Sequence, residues 1–270
     1  MVEVRRDFSP RALTAAIEDN TAEMLMGMGA VGGGDQRDDG AVRWSIGGSP
    51  IDYHNCVVVA DLDPAETDAV IAESTRLMQD RGVPGSWHVG PSMRPADLGE
   101  RLLRAGFSYG GEEPGMAVDL RLVPHRELAD LQVRRVRDRD ELGLWARTLA
   151  RGFGEGQPEA DWVEEIYGRL GFAENGRWRH YLGFTGGEPV ATSSLFLGAG
   201  VAGVYFVMTV PEARRQGIGA AITAAALHDA EARGYRIGVL AASAAGRRVY
   251  ARLGFAEYCR FDLYEWTPAS

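Results

Sequence analysis

Two adjacent arginines and two glycines, in the order Arg214-Arg215-Gln216-Gly217-Ile218-Gly219, lie between an apolar run (Val201 to Val210) and an alanine-rich stretch. The run reads as a buried strand, Pro211 and Glu212 open a turn, and a helix begins near Gly219. Such a junction can hold an anion. The first N–H groups of a helix have no acceptor of their own, the helix dipole adds positive potential, and glycine admits a ligand close to the backbone. A turn that needs glycine only for its backbone angles has the same spacing, so the motif alone leaves both readings open. It is not a dinucleotide fingerprint, since the third glycine is missing and an antiparallel-looking meander precedes it. Nor is it a P-loop. All 29 basic residues are arginine, so the chain has no P-loop lysine and no Schiff-base amine.

One strand and one turn further on, SAAGRRVYARLGF (243–255) predicts a helix from Ala245 to Leu253. Val249 and Leu253 face the core, with Tyr250 half-buried beside them. A tyrosine there is either packing or a proton donor, and its place downstream of the glycine turn favours the donor.

Elements must carry these residues to one place. Helices are predicted at Ser9–Met28, Ala65–Arg81, Pro95–Ala105, Asp138–Arg151 and Ala160–Leu170, beyond the two already named. Strands are predicted at 41–46, 55–60, 86–89, 116–122, 132–136, 180–184, 190–198, 236–241 and 256–266, and Gly186-Gly187 makes a hairpin turn. The glycine and charge-rich stretch 30–40 reads as a mobile loop, and 123–131 as a linker of mixed polarity. The order helix, Arg-Gly, strand, helix, Gly-Phe, strand occurs twice. Arg81-Gly82 leads to GERLLRAGF (99–107), and Arg233-Gly234 leads to GRRVYARLGF (246–255). This is the pattern of a duplicated domain. The first copy has DLDPAE where the second has its glycine turn, and Leu102 where the second has Tyr250.

Composition narrows the function. A net charge of −9 argues against a nucleic-acid or anionic membrane surface. No apolar run is long enough for a membrane span or a leader segment, and Cys56 and Cys259 lack metal-ligand spacing, so a reduced cytoplasmic protein without a metal is expected. The five histidines show no ligand spacing either. GFSYG (106–110) spells a nucleophile elbow, but its serine falls between a helix and a strand, the reverse of the order an elbow needs.

The paired motifs VPEARRQGIGAAI and ASAAGRRVYARLGF resemble the Gcn5-related N-acetyltransferase (GNAT) superfamily. The resemblance is strongest over 179–266 and weaker back to Gln132. It implies an α/β fold with two GNAT-like domains, residues 1–124 degenerate and 125–270 catalytic, each a mixed, mostly antiparallel sheet flanked by helices. It also implies a role for each matched residue. Backbone groups of Val207, Met208, Thr209 and Val210 would meet the pantetheine arm of acetyl-CoA, with a splayed neighbouring strand leaving room for the thioester. Arg214, Arg215, Gln216, Gly217, Ile218, Gly219 and Ala220 would cradle the pyrophosphate. Ser243 would touch the CoA arm, and Tyr250 would protonate the leaving thiolate. A phenol of pKa about 10 can give a proton to a thiolate whose acid has a pKa of about 8.5.

The partner so implied is a small-molecule or peptide amine, attacking directly in a ternary complex, with a homodimer among the open assemblies. An amine of pKa about 10.4 is neutral in roughly one molecule in 2,500 at pH 7, so a base or a water relay must take its proton. Many family members place a glutamate on the strand before the glycine turn; here Tyr205 is the polar group on that strand. Glu155, Asp161 and His180 are candidate bases, each also readable as an ordinary surface group. Trp162, Tyr167, Phe172 and Trp178 form an aromatic patch on the acceptor side, readable as core. The absent glutamate also admits a second reading, an acyl-CoA-binding sensor or interaction module without catalysis, though a sensor would not need Tyr250.

Overall fold

A computed structural model describes residues 3–154 and 156–268. In chain order the elements are α1 (Pro10–Val31), β1 (Asp35–Asp38), β2 (Val42–Ile46), β3 (Cys56–Ala60), α2 (Pro64–Arg81), β4 (Gly85–Val89), α3 (Leu98–Arg104) and β5 (Ser108–Asp119). They continue with β6 (Leu131–Arg135), α4 (Arg139–Phe153), α5 (Gln157–Gly168), β7 (Trp178–Thr185), β8 (Glu188–Gly198) and β9 (Val201–Thr209). The last are α6 (Ile218–Ala232), β10 (Ile237–Ala241), α7 (Arg247–Ala251) and β11 (Ala256–Trp266). The class is α/β with mostly antiparallel pairing, as expected. Two compact units are drawn from four segments, 1–20 with 115–258 and 21–114 with 259–270.

In the first unit the strand order is β5-β10-β9-β8-β7-β6, with β9 and β10 the parallel pair. Neighbouring residues on β7 point to opposite faces of the sheet. His180 meets Trp145 of α4, and Tyr181 donates to Asp229 of α6, so α4 and α6 cover opposite faces. Leu195, Val204, Ile222, Leu227 and Leu253 are buried in one core. Asp138 caps α4 by accepting from Glu141 N at 2.9 Å.

In the second unit the order is β1-β2-β3-β4-β11, with β3 and β4 parallel and joined through α2. Trp44, Ile71, Met78, Trp87 and Leu102 fill its core. Asp63 caps α2, Pro64 takes its first turn and Gly82 ends it at φ 62°, the signals legible in the sequence. The echo is structural as well. Each unit holds a strand, a helix, a parallel strand and a short helix in sequence. Each short helix ends at a positive-φ glycine, Gly106 at 94° and Gly254 at 96°. The strand that follows each of these glycines is unusual. Residues 115–119 of β5 pair with β10, and 262–266 of β11 pair with β4, so each unit takes a strand from the other half of the chain.

Four boundaries differ from the sequence reading. Residues 30–40 are not a loop: α1 runs to Val31 and β1 occupies 35–38. Of the glycines there, Gly34 is packed, since a Cβ on it would lie 2.7 Å from Ser45 Oγ, while Gly33 and Gly40 take positive φ at turns, and charged β1 lies at the edge of its unit's sheet. Helices α3 and α7 are shorter than predicted, and β5 begins eight residues earlier, at Ser108.

Residues 10–20 of α1 are tied to the first unit through Asn20, which is fully buried. Its Nδ2 donates to Gly198 O at 2.9 Å and its Oδ1 accepts from Tyr205 Oη at 2.7 Å. Gly203 leaves the space for it; a Cβ there would stand 2.0 Å from Asn20 Oδ1. Gly203→Ala should therefore lower unfolding free energy by about 1–3 kcal/mol, the usual range for forcing a methyl into a packed site. Urea denaturation would read this as a lower midpoint at unchanged slope; an unaltered midpoint would mean that the Asn20 contact is loose.

Candidate active site

Several of the predicted residues of the first unit lie where its sheet comes apart. Strands β9 and β10 pair only at Ala202 with Gly238 and Gly203 with Val239. Beyond Gly203, β10 stays with β5 as far as Ala241, while β9 stays with β8. A bulge drives the separation. The register between β8 and β9 shifts between Thr192 and Ser194, adding a residue on β9, and Phe206 takes φ 53°. Thr192 Oγ1 holds this turn by donating to Phe206 O at 2.8 Å. Residues 201–204 are buried, whereas Tyr205 to Thr209 are half-exposed. Val207, Met208 and Thr209 thus lie on a stretch of strand with no ladder partner on β10, and Val210 is fully buried at its end.

This open strand leads into the glycine turn. Pro211–Ala213 form a single 3₁₀ turn and α6 starts at Ile218. Its N-cap is Gly217, at φ 84°, which supplies no side-chain acceptor, so the opening N–H groups of α6 remain for a ligand. A cleft of about 630 Å³ lies here. It gathers Thr209, Arg214, Arg215, Gly217, Ile218, Gly219 and Ala220 from the expected set. The two arginines differ. Arg214 Nε donates to Thr209 O at 3.0 Å and its Nη2 to Gly152 O at 2.7 Å, so its guanidinium ties the loop to β9 and to the last turn of α4. Arg215, at φ 64°, forms no ion pair among the described residues. Gln216 is exposed and outside this lining; its Nε2 lies 3.5 Å from Glu212 O.

Val249 of α7 and Arg252 just after it border the same cleft, whose lining includes neither Ser243 nor Tyr250. Ser243 caps the turn before it, Oγ accepting from Gly246 N at 3.2 Å. The Tyr250 ring is half-buried, 5.9 Å from the Phe255 ring, and packs so closely on Gly246 that a Cβ there would lie 2.7 Å from it. The sequence reading passed over one wall of the cleft. His125, Arg126, Glu127 and Leu128, read as linker, line it, and Leu128 approaches the Gly217 position to 3.8 Å. A basic pair, His125-Arg126, just before the first strand of this half was the available signal.

On the acceptor side the aromatic residues divide. Tyr167 and Trp178 are core, packed with Trp145, Phe206 and His180, while Trp162 and Phe172 are half-buried. His180 is buried, with Nδ1 2.6 Å from Ser194 Oγ. Burial, and then the charge of Arg135, depress its pKa to about 3, so it is a neutral core imidazole. Asp161 is exposed and accepts from Gln157. Glu155 lies outside the described residues.

The second unit is built differently at the corresponding place. Its parallel pair β3/β4 also ends after two residue pairs, Cys56 with Ser86 and Val57 with Trp87. Here the gap is filled: Arg94 N donates to Ala60 O at 2.8 Å, Arg94 O accepts from Leu62 N, and Met93 is buried in the core. Asp63 Oδ1 takes Ala65 N at 2.8 Å, so a carboxylate already occupies the start of α2. Leu102, in place of Tyr250, is fully buried.

Comparison with known proteins agrees with this geometry. Residues 144–255 match the model of the acetyltransferase (GNAT) family. Among solved structures, the chain is similar to a GCN5-related N-acetyltransferase from Kribbella flavida, with TM-score 0.67, 19% identity, and 93% of this chain and 96% of that chain covered. It is also similar to a GCN5-related N-acetyltransferase from Sphaerobacter thermophilus, with TM-score 0.62, 17% identity and coverage of 84% and 76%. A third is a tandem GNAT protein from the clavulanic acid biosynthesis pathway, with TM-score 0.55, 16% identity and coverage of 87% and 82%. At these identities the likeness is one of fold. No curated protein matches the chain.

The neutral imidazole has a measurable signature. With a folded pKa of about 3 against about 6.5 unfolded, His180 binds its proton only on unfolding across that window. Its contribution is complete above pH 6.5 and is lost as pH falls toward 3, at up to about 1.4 kcal/mol per pH unit. His180→Gln should make the fall in stability between pH 6.5 and 4 shallower than in the parent protein. Parallel curves in urea titrations would show that His180 is not held neutral.

Proposed function

We propose that this protein, whose residues 144–255 match the model of the acetyltransferase (GNAT) family, transfers acetyl from acetyl-CoA to an amine in a ternary complex. One observation supports the reading above the others: the open β9 edge runs directly into a helix start whose cap is glycine. An extended chain carrying amides fits the first, and a pyrophosphate fits the second. Val207 to Thr209 offer backbone groups along the pantetheine arm. The N–H groups from Arg215 to Ala220 receive the pyrophosphate, with the Arg215 charge beside them, and Arg214 holds the loop in shape.

The amine nitrogen attacks the thioester carbonyl carbon, the C–S bond breaks, and the Tyr250 hydroxyl gives its proton to the departing thiolate. A water relay takes the proton of the amine, since Tyr205 on β9 donates its hydroxyl to Asn20 and His180 is sealed in the core. The half of the chain with a filled seam serves as scaffold, the degenerate copy of a tandem pair. Among the described residues no group of His, Cys, Asp and Glu is arranged to hold a metal ion. No helix among them is long and apolar enough to cross a membrane. The acceptor is a small-molecule or peptide amine.

Two measurements test the reading. In calorimetry, acetyl-CoA should bind the parent protein, and Arg215→Ala with Gly217→Glu should abolish that binding by placing a carboxylate at the pyrophosphate; retained affinity would remove the assignment. With free thiol release as the assay over a panel of amines, Tyr250→Phe should slow transfer by about 10² to 10⁴ with acetyl-CoA affinity unchanged. An undiminished rate would take the acid role from Tyr250.

A further inference from the structure

Three arginines of the first unit converge on one carboxylate. Glu174, in the loop between α5 and β7, accepts through Oε1 from Arg233 Nη2 at 2.6 Å and from Arg179 Nη2 at 3.3 Å, and through Oε2 from Arg135 Nη1. The arginines come from three elements: Arg135 ends β6, Arg179 is the second residue of β7, and Arg233 directly follows α6. Exposure runs the opposite way to what a surface ion pair shows. The Arg179 side chain is 4% exposed and that of Arg135 10%, whereas the Glu174 side chain is 78% exposed. An exposed acid closes a socket whose cations are buried.

The socket is short of acceptors. Its other carboxylate is Asp229 of α6, which takes Arg179 Nε at 2.5 Å, Arg233 Nε at 3.3 Å and the Tyr181 hydroxyl at 2.5 Å. Three guanidinium charges thus meet two carboxylates, and Arg135 Nε is buried with no acceptor among the described residues. Arg81, which stands where Arg233 does in the repeated order of elements, instead meets the single carboxylate of Asp35. Hydrogen bonding from Arg233, with the charges of Arg135 and Arg179, holds the Glu174 carboxyl below the usual carboxylate range, so the resident group is an anion. That side chain can leave without taking the socket apart. Arg135 Nη2 donates to Phe172 O at 3.1 Å and Ala173 O at 2.7 Å, and Arg179 Nη1 to Glu174 O at 2.7 Å, so the backbone of the loop is tied independently.

We propose that Arg135, Arg179 and Arg233 form a binding site for a phosphate group, free or as the monoester of a small molecule, in which Glu174 is a tethered stand-in. A phosphate monoester carries about 1.5 to 2 negative charges at pH 7 and three acceptor oxygens. It supplies the charge that one carboxylate leaves missing, and guanidinium forks suit its geometry. The site is distinct from the cleft at the glycine turn. It lies at the other end of α6, whose 15 residues span roughly 20 Å. The inference does not rest on the acetyl-CoA reading.

Calorimetric titration of the full chain with inorganic phosphate, glycerol phosphate and acetate tests this. Glu174→Gln removes the competing charge and should bind phosphate about tenfold more tightly than the parent protein, since a tethered group competes at an effective concentration of about millimolar. Acetate should bind that variant more weakly than phosphate. Tighter binding of glycerol phosphate than of inorganic phosphate would identify the ligand as a monoester, and the reverse order as the free ion. Adding Arg233→Gln to Glu174→Gln should cancel the gain, and adding Arg233→Lys, the milder change, should keep only part of it. All these variants retain the glycine turn, so phosphate bound there does not distinguish them. Equal phosphate affinity of the parent protein and Glu174→Gln overturns the site. So does a gain that survives both changes at Arg233, and acetate binding as tightly as phosphate overturns the ligand class.

Discussion

The site depends on a sheet that stops being a sheet. A parallel pair normally satisfies the backbone of both strands along its length, and β9 and β10 do so for only two residue pairs. The bulge at Phe206 makes the parting stable. The added residue turns β9 away while Thr192 Oγ1 satisfies the carbonyl that the turn displaces. A non-glycine residue at φ 53° costs on the order of 1–3 kcal/mol. Packing offsets that cost, since the Phe206 ring lies against the buried Trp145 and Tyr167. Of the aromatic patch read in the sequence, Tyr167 thus lies beneath the bulge, together with Trp145.

The two units differ at the corresponding place. Both parallel pairs separate after two residues, so the separation belongs to the repeated architecture and is not sufficient for a site. What differs is the content of the gap and of the helix start. In one unit Arg94 makes two backbone hydrogen bonds with Ala60 and Leu62 at the end of β3, and Asp63 places its carboxylate at the helix N-terminus. In the other, a glycine cap offers no such group. Asp63 adds stability to α2 in the ordinary way of an N-cap, typically about 1 kcal/mol, and in doing so occupies the place of an external anion. A helix start can be capped by its own chain or left for a ligand.

Much of this was legible in the residues. The glycine turn, the Ser243-to-Phe255 motif and the repeated order of elements rest on local chemistry, and local chemistry survives folding. Caps and stops such as Asp63, Gly82 and Asp138 fell where their side chains required. Two features were not legible for a common reason. The exchange of β5 and β11 between units is a matter of which strand pairs with which, and a strand's own pattern does not name its partner. The wall formed by His125 to Leu128 has no secondary structure and no apolar period, so only its contact with α6 gives it a role. Residues 30–40 misled because a four-residue charged strand lies between the turns, with Gly34 packed against Ser45.

Adjacent residues of one type can have separate duties, and Arg214 and Arg215 show why a motif must be read atom by atom. The carbonyl of Gly152 belongs to the last turn of α4, where helix carbonyls lack partners and a cation is favoured. Arg214 meets that need and, through Nε, the carbonyl at the end of β9. It joins a helix end, a strand end and the loop at one guanidinium. The loop so anchored can hold its next residue, Arg215, in the left-handed region, which L-residues enter at a cost of roughly 1–2 kcal/mol. The first arginine therefore ties the loop down, and the second lines the cleft beside Gly217 and Gly219.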